Sequence, residues 1–175
     1  MKTNVKTTDL VLSALMMCMI MVAIFIFRIP IPFTQGYVNL SDGMIFLAVI
    51  ILGYKYGAVA AGLGSMLGDI IGGFAMWAPW TFVIKGLMAL VFGLILEKTK
   101  ASEKPAAKVS AMVLSGLIMA AGYFVAEGIM YGSWAIAVLG VPWNIGQFAV
   151  GIVLAMLIET ALSKTTFRRY LRHQA

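Results

Sequence analysis

Residues 57–96, forty in a row, hold only two charged side chains, Asp69 and Lys85. A helix crossing the hydrocarbon of a bilayer needs about 20 mostly apolar residues, so this run is too long for one crossing and long enough for two. The chain must reverse inside it, and the proline-containing corner Trp77-Ala78-Pro79-Trp80 is where reversal is expected. Each charge is expensive inside lipid unless it is paired or faces a cavity. A site near that corner is the default reading.

Composition places the whole chain in the same class. It is 62% hydrophobic and 11% charged, with a mean hydropathy of +0.97; a soluble domain carries about 25% charged residues. The fold class expected is an all-α integral membrane protein, one domain over residues 1–175 with no soluble domain. Cys18 is the one cysteine, which excludes an intramolecular disulfide and a Cys-based metal cluster. Lys2 and Lys6 precede an uncharged run at 10–27 that is longer than a signal-peptide core, and no A-x-A cleavage site follows. That run is expected to be a retained first span.

Six spans are expected, at about 10–27, 43–54, 58–74, 80–96, 109–128 and 141–162. A polar link at 28–42 carries Pro30 and Pro32, which break a helix. Residues 53–57 read as a tight turn, and 97–108 as a hydrophilic linker. With six spans and both termini cytoplasmic, the inner segments hold 11 of the 13 Lys and Arg residues; the outer links hold only Arg28, and Lys85 is intramembrane. Cytoplasmic enrichment of Lys and Arg sets orientation. The net charge of +6 thus reports topology rather than a nucleic-acid partner.

Orientation gives depth. Asp69, Lys85, Glu127, Asn144 and Gln147 come from four spans and fall at one level, the outer third. Trp77, Trp80, Trp134 and Trp143 lie there too, with Phe33, Tyr37, Tyr123 and Tyr131, while the inner half shows no comparable set. Bland readings exist for each: an interfacial aromatic belt, an Asp69–Lys85 structural pair, a snorkelling Glu127, and Asn144 capping a helix after Pro142. Together the set fits a pocket with aromatic walls and a few placed polar groups, suited to a flat heterocycle. Whether Asp69 and Lys85 touch a ligand or each other stays open. The link at 28–42 is long enough to act as a lid.

Small residues form a second pattern. Gly57, Ala60, Ala61, Gly64, Gly68 and Gly72 give small-xxx-small rows in span 3, read as packing within the bundle. In span 1, Ala14-x-x-x-Cys18 sits among Met16, Met17, Met19 and Met21, a surface suited to docking a membrane partner. There is no G-x-x-x-x-G-K-[ST] phosphate loop, and His173 is the single histidine. No nucleophile stands with a base, so no enzyme, no metal site and no cofactor bound by this chain is expected.

The residues resemble a known family. Gly36-Tyr37-Val38-Asn39-Leu40-Ser41-Asp42, Leu52-Gly53-Tyr54-Lys55-Tyr56-Gly57, Gly62-x-Gly64-Ser65-x-x-x-Asp69 and Trp77-Ala78-Pro79-x-Thr81-x-x-x-Lys85-Gly86 are similar to the substrate-binding S components of energy-coupling factor (ECF) vitamin transporters. The branch resembled includes the hydroxymethylpyrimidine/pyridoxine and the loosely named riboflavin S components. The resemblance implies a subunit that binds a water-soluble vitamin from outside, with the first outer loop as a gate. It implies a transmembrane T component and two cytoplasmic ATPases as partners, ATP being used by those partners to topple the S component and release substrate inside. The family's span-1 docking motif matches here as Ala14 and Cys18, its second small residue replaced. The substrate-binding set expected is Lys85, Trp77, Trp80, Glu127, Asn144, Gln147, Asp69, Tyr37, Asn39 and Tyr123. Pyridoxine or hydroxymethylpyrimidine is favoured over a riboflavin- or thiamine-type ligand, because the polar set is small. A self-sufficient oligomeric carrier or small channel is the rival of another class.

Overall fold

The computed structural model describes residues 7–32, 34, 36–99 and 104–166. Phe33 and the basic tail residues Arg168, Arg169 and Arg172 lie outside them. Five helices carry the fold: α1 (Thr7–Ile26), α2 (Ser41–Ile71), α3 (Ala78–Thr99), α4 (Pro105–Tyr131) and α5 (Trp134–Ser163). All five are long and apolar enough to cross a membrane. Between α1 and α2 lies an element the sequence did not suggest. β1 (Arg28–Pro30) and β2 (Tyr37–Asn39) form an antiparallel ribbon pairing Arg28 with Asn39, Ile29 with Val38 and Pro30 with Tyr37. Pro30 cannot donate to a ladder, so it suits the end of an edge strand.

The expected spans 43–54 and 58–74 fall on the two arms of α2, the second span running slightly past its end at Ile71. That helix is broken at Gly53, with φ 77 and ψ 175. This backbone region is essentially restricted to glycine. In an unbroken helix Val49 and Gly57 would stand about 12 Å apart. Instead a Cβ placed on Gly57 would fall 2.8 Å from the Val49 Cα. The chain therefore folds back sharply, and residues 41–52 and 54–71 lie side by side.

The first arm is the centre of the bundle. Every residue from 41 to 52 is buried, with Ile45, Phe46, Ala48 and Val49 at 0% exposure. A helix that is apolar all round can be satisfied in this way. Helices α1, α3 and α5 pack on α2, and α4 joins α3 to α5. Phe46 meets Phe92 of α3 edge-on at 5.2 Å. The small-residue row of span 3 faces α1: Gly64 backs onto Met17, and Gly68 onto Ile24. That row is internal packing.

Two helices begin earlier than the apolar runs imply. Pro105 opens α4, where its missing N–H costs nothing. Lys108 is therefore helical and buried rather than part of a hydrated linker, and its Nζ donates to Glu159 of α5 at 2.5 Å. The region opposite the ribbon thus holds an ion pair that the sequence did not reveal. Helix α4 ends at Gly132 in the left-handed region, φ 62. Ser133 then caps α5, its Oγ accepting from Ile136 N. Pro142 lies inside α5. Asn144 consequently does not cap a helix; its Nδ2 donates to the Gly140 carbonyl at 3.1 Å.

Candidate functional site

The ribbon, the corner between α2 and α3, and the facing parts of α4 and α5 enclose one cavity. Nine of the expected residues line it: Tyr37, Asn39, Asp69, Trp77, Lys85, Tyr123, Glu127, Asn144 and Gln147. Trp80 does not. It is half-buried and packs against the apolar core, which corrects its assignment. Trp134 and Trp143 face outward, as belt residues do. Trp77 alone of the four tryptophans reaches the cavity, 4% exposed, with its ring 6.2 Å from those of Tyr123 and Tyr131.

Lys85 and Asp69 are not partners. Lys85 Nζ donates to Asp42 Oδ1 at 2.5 Å and to Met119 Sδ at 3.0 Å, and stands 5.4 Å from the Tyr123 ring centre. Asp42, fully buried at the first turn of α2, accepts a second bond at Oδ2 from Gln147 Nε2, 2.9 Å. Gln147 Oε1 in turn accepts from the backbone N–H of Asn39 at 2.8 Å. Asn39 Oδ1 accepts from Ser41 N at 2.8 Å, closing the turn into α2. One polar chain thus ties α3, α2, α5 and the ribbon together. A buried lysine held this way keeps its charge neutralised where an unpaired one would be costly.

Asp69 is engaged from the other side. Its Oδ1 accepts from the Tyr37 hydroxyl, while Oδ2 has no partner among the described residues. Burial and the adjacent Asp69 carboxylate push the Tyr37 phenol well above its ordinary value. It stays protonated and remains a donor. Arg28 stacks on the same strap, its guanidinium 4.5 Å from the Tyr37 ring centre and 5.0 Å from that of Phe74, and donates to the Gly72 carbonyl at 3.2 Å. The ribbon is thereby fastened to the α2–α3 corner over the cavity.

Glu127, 2% exposed, has an Oε2 without a hydrogen-bond partner among the described residues. Gly140 of α5 makes room for it, since a Cβ there would strike the carboxylate. Ser41 and Ser65 also line the cavity, with hydroxyls that have no hydrogen-bond partner among the described residues. The sequence reading missed Ser41, Ser65, Thr81 and Asp42. Thr81 accepts from the Tyr123 hydroxyl at 3.3 Å. Four of these polar side chains stood inside the quoted motifs, which was the available signal. The wall combines aromatic faces with carboxylate and hydroxyl groups whose bonding capacity is unused. Such a wall can hold a small, flat, donor-bearing ring by stacking and hydrogen bonding. Among the described residues no group of three or more His, Cys, Asp or Glu side chains could hold a metal ion.

Ala14 and Cys18, the pair expected to dock a partner, lie on an exposed face of α1 with Val11, Leu15, Val22 and Phe25.

Comparison with known proteins places this architecture. The family model described as the ECF-type riboflavin transporter S component matches residues 4–164. The thiamine precursor transporter HmpT of Lactococcus lactis subsp. cremoris (strain MG1363) is 32% identical over 141 residues, 80% of this chain and 78% of that protein. An uncharacterised protein of Pyrococcus woesei is 38% identical over 105 residues, 60% of this chain and 68% of its own length. A solved S component of a bacterial ECF transporter superposes with a TM-score of 0.75 at 18% identity, covering 89% of this chain and 95% of that one. The solved S component for biotin gives 0.75 at 19% identity, covering 98% and 100%. The two solved structures establish the shared fold. The family match spans nearly all of the sequence, and this chain belongs to the family of ECF-type riboflavin transporter S components.

Proposed function

We propose that this chain captures a thiamine precursor of the hydroxymethylpyrimidine type for ATP-driven uptake. It is a multi-pass membrane protein, and its family consists of transporter subunits rather than enzymes. S components work with the T component and ATPase modules of ECF transporters and bind small vitamins. The observation that carries the substrate reading is the cavity itself. Trp77 and Tyr123 offer stacking faces, and Asp69 and Glu127 offer unused acceptor oxygens. An aminopyrimidine presents the matching flat ring and N–H donors. The 32% identity to a thiamine precursor transporter supports the same class.

In this reading the break at Gly53 divides α2 into two short crossings, which makes six spans with both termini cytoplasmic. The strong inward bias of Lys and Arg supports that orientation. The ribbon closes the cavity from outside. One T component and two ATPases complete the transporter, and the Ala14–Cys18 face of α1 docks on the T component. ATP is consumed by the ATPases, and this chain needs no cofactor of its own.

A second reading has one observation behind it, the riboflavin description of the matching family model. Mass spectrometry of the small molecule that co-purifies with the protein separates the two. An aminopyrimidine supports the first reading; a flavin replaces it with the second.

A further inference from the structure

The charges on the cavity wall are not balanced. Three charged side chains line it: Asp69, Lys85 and Glu127. Lys85 already has a carboxylate, Asp42. Arg28 is outside the lining, stacked on aromatic rings and bonded to the Gly72 carbonyl, with its Nε and Nη2 buried and without a partner among the described residues. The described wall therefore presents two carboxylates with spare oxygens and no cation that lacks a carboxylate partner.

We propose that this imbalance is a selectivity filter: the cavity admits an uncharged or cationic amine-bearing ring and rejects phosphorylated forms of the same compound. The inference rests on the functional reading above and goes further in naming the charge state carried. A phosphate ester brings about −1.5 to −2 charges at neutral pH. At the cavity wall that charge would meet Asp69 and Glu127, while Lys85 is already paired with Asp42 and Arg28 stands outside the lining, and like charges placed together discriminate strongly against a ligand. An amidine-type edge, a ring nitrogen beside an amino group, fits instead. One Glu127 oxygen accepts from the amino N–H, and the other accepts from the ring nitrogen when the ligand carries a proton there. Gly140 leaves space for a carboxylate at this position.

The test uses the intact purified protein, with hydroxymethylpyrimidine and its phosphate ester as probes in equilibrium titrations. The ester is expected to bind roughly 100-fold or more weakly than the free alcohol. Glu127→Gln should weaken the free compound by about tenfold or more and narrow its advantage over the ester. Asp69→Asn gives an independent reading of the same narrowing should Glu127→Gln fold poorly. Equal affinity of the wild type for both probes overturns the filter, as does an unchanged ratio in both variants. Binding of neither probe overturns the functional reading instead, and the filter falls with it.

Discussion

Lys85 of α3 is paired with Asp42 at the first turn of α2, 2.5 Å away, and not with Asp69, the acid nearer to it in sequence. Both partners are essentially sealed from solvent, at 2% and 0% exposure. Removing one partner of such a pair leaves a buried charge and typically costs about 3–5 kcal/mol. Lys85→Ala and Asp42→Ala are each expected to reduce folded yield and thermal stability in detergent. The double variant Lys85→Met with Asp42→Leu should recover much of the loss. A double-mutant cycle with no coupling between the two positions would contradict the pairing.

Asp69 then depends on Tyr37. Tyr37→Phe keeps the ring that stacks under Arg28 and removes only the hydroxyl donor. Leaving a buried acceptor unsatisfied costs about 1–3 kcal/mol, and here that loss falls on the closed strap. Ligand dissociation followed by stopped-flow fluorescence should accelerate by roughly 5- to 150-fold. The pH dependence has a definite sign. A phenol whose folded value is raised contributes its full stabilisation below its ordinary value of about 10 and loses it only above. Wild-type dissociation should thus show no step from Tyr37 between about pH 6 and 9. An unchanged off-rate in Tyr37→Phe would mean that this bond does not hold the strap.

Gly140 is the wall behind Glu127. Gly140→Ala improves helix propensity by about 1 kcal/mol, yet its methyl would collide with the carboxylate. Helix content by circular dichroism should be retained while ligand affinity falls by about tenfold or more. Full affinity in Gly140→Ala would show that Glu127 can move without consequence.

Much of the site could be read from the sequence because direction fixes depth. In the orientation expected from the basic residues, Lys85, Glu127, Asn144 and Gln147 fall to one level, and all four line the cavity. Rotation about each helix axis was harder to read. In a span that is apolar on both its lipid and protein faces, periodicity cannot tell which side points inward. Trp80 shows the result, one turn beyond Trp77 and turned against the core instead of the cavity. Partner choice was hidden for a related reason. Asp42 stands at the edge of a polar link, where a carboxylate reads as hydrated, but α2 begins at Ser41 and carries it inside. Lys108 was lost in the same way when α4 started at Pro105. Strands three residues long carry almost no periodic signal, so the ribbon could not be foreseen.

Gly53 makes the reversal of α2 possible. Its backbone angles cost a residue with a Cβ about 1–3 kcal/mol. Gly53→Ala should lower the melting temperature in detergent, although nothing lies within 4 Å of the added methyl to clash with it. An unchanged melting temperature would show that the turn tolerates a side chain. That would remove strain as the reason for glycine there.

The most direct test is a calorimetric titration of the purified, ligand-depleted chain with hydroxymethylpyrimidine, pyridoxine, thiamine and riboflavin in turn. The expected result is one site with submicromolar affinity for hydroxymethylpyrimidine, weakened by Glu127→Gln while the fold is retained. Absence of binding to all four, or equal binding by wild type and Glu127→Gln, would contradict the assignment of this cavity as a precursor-binding site.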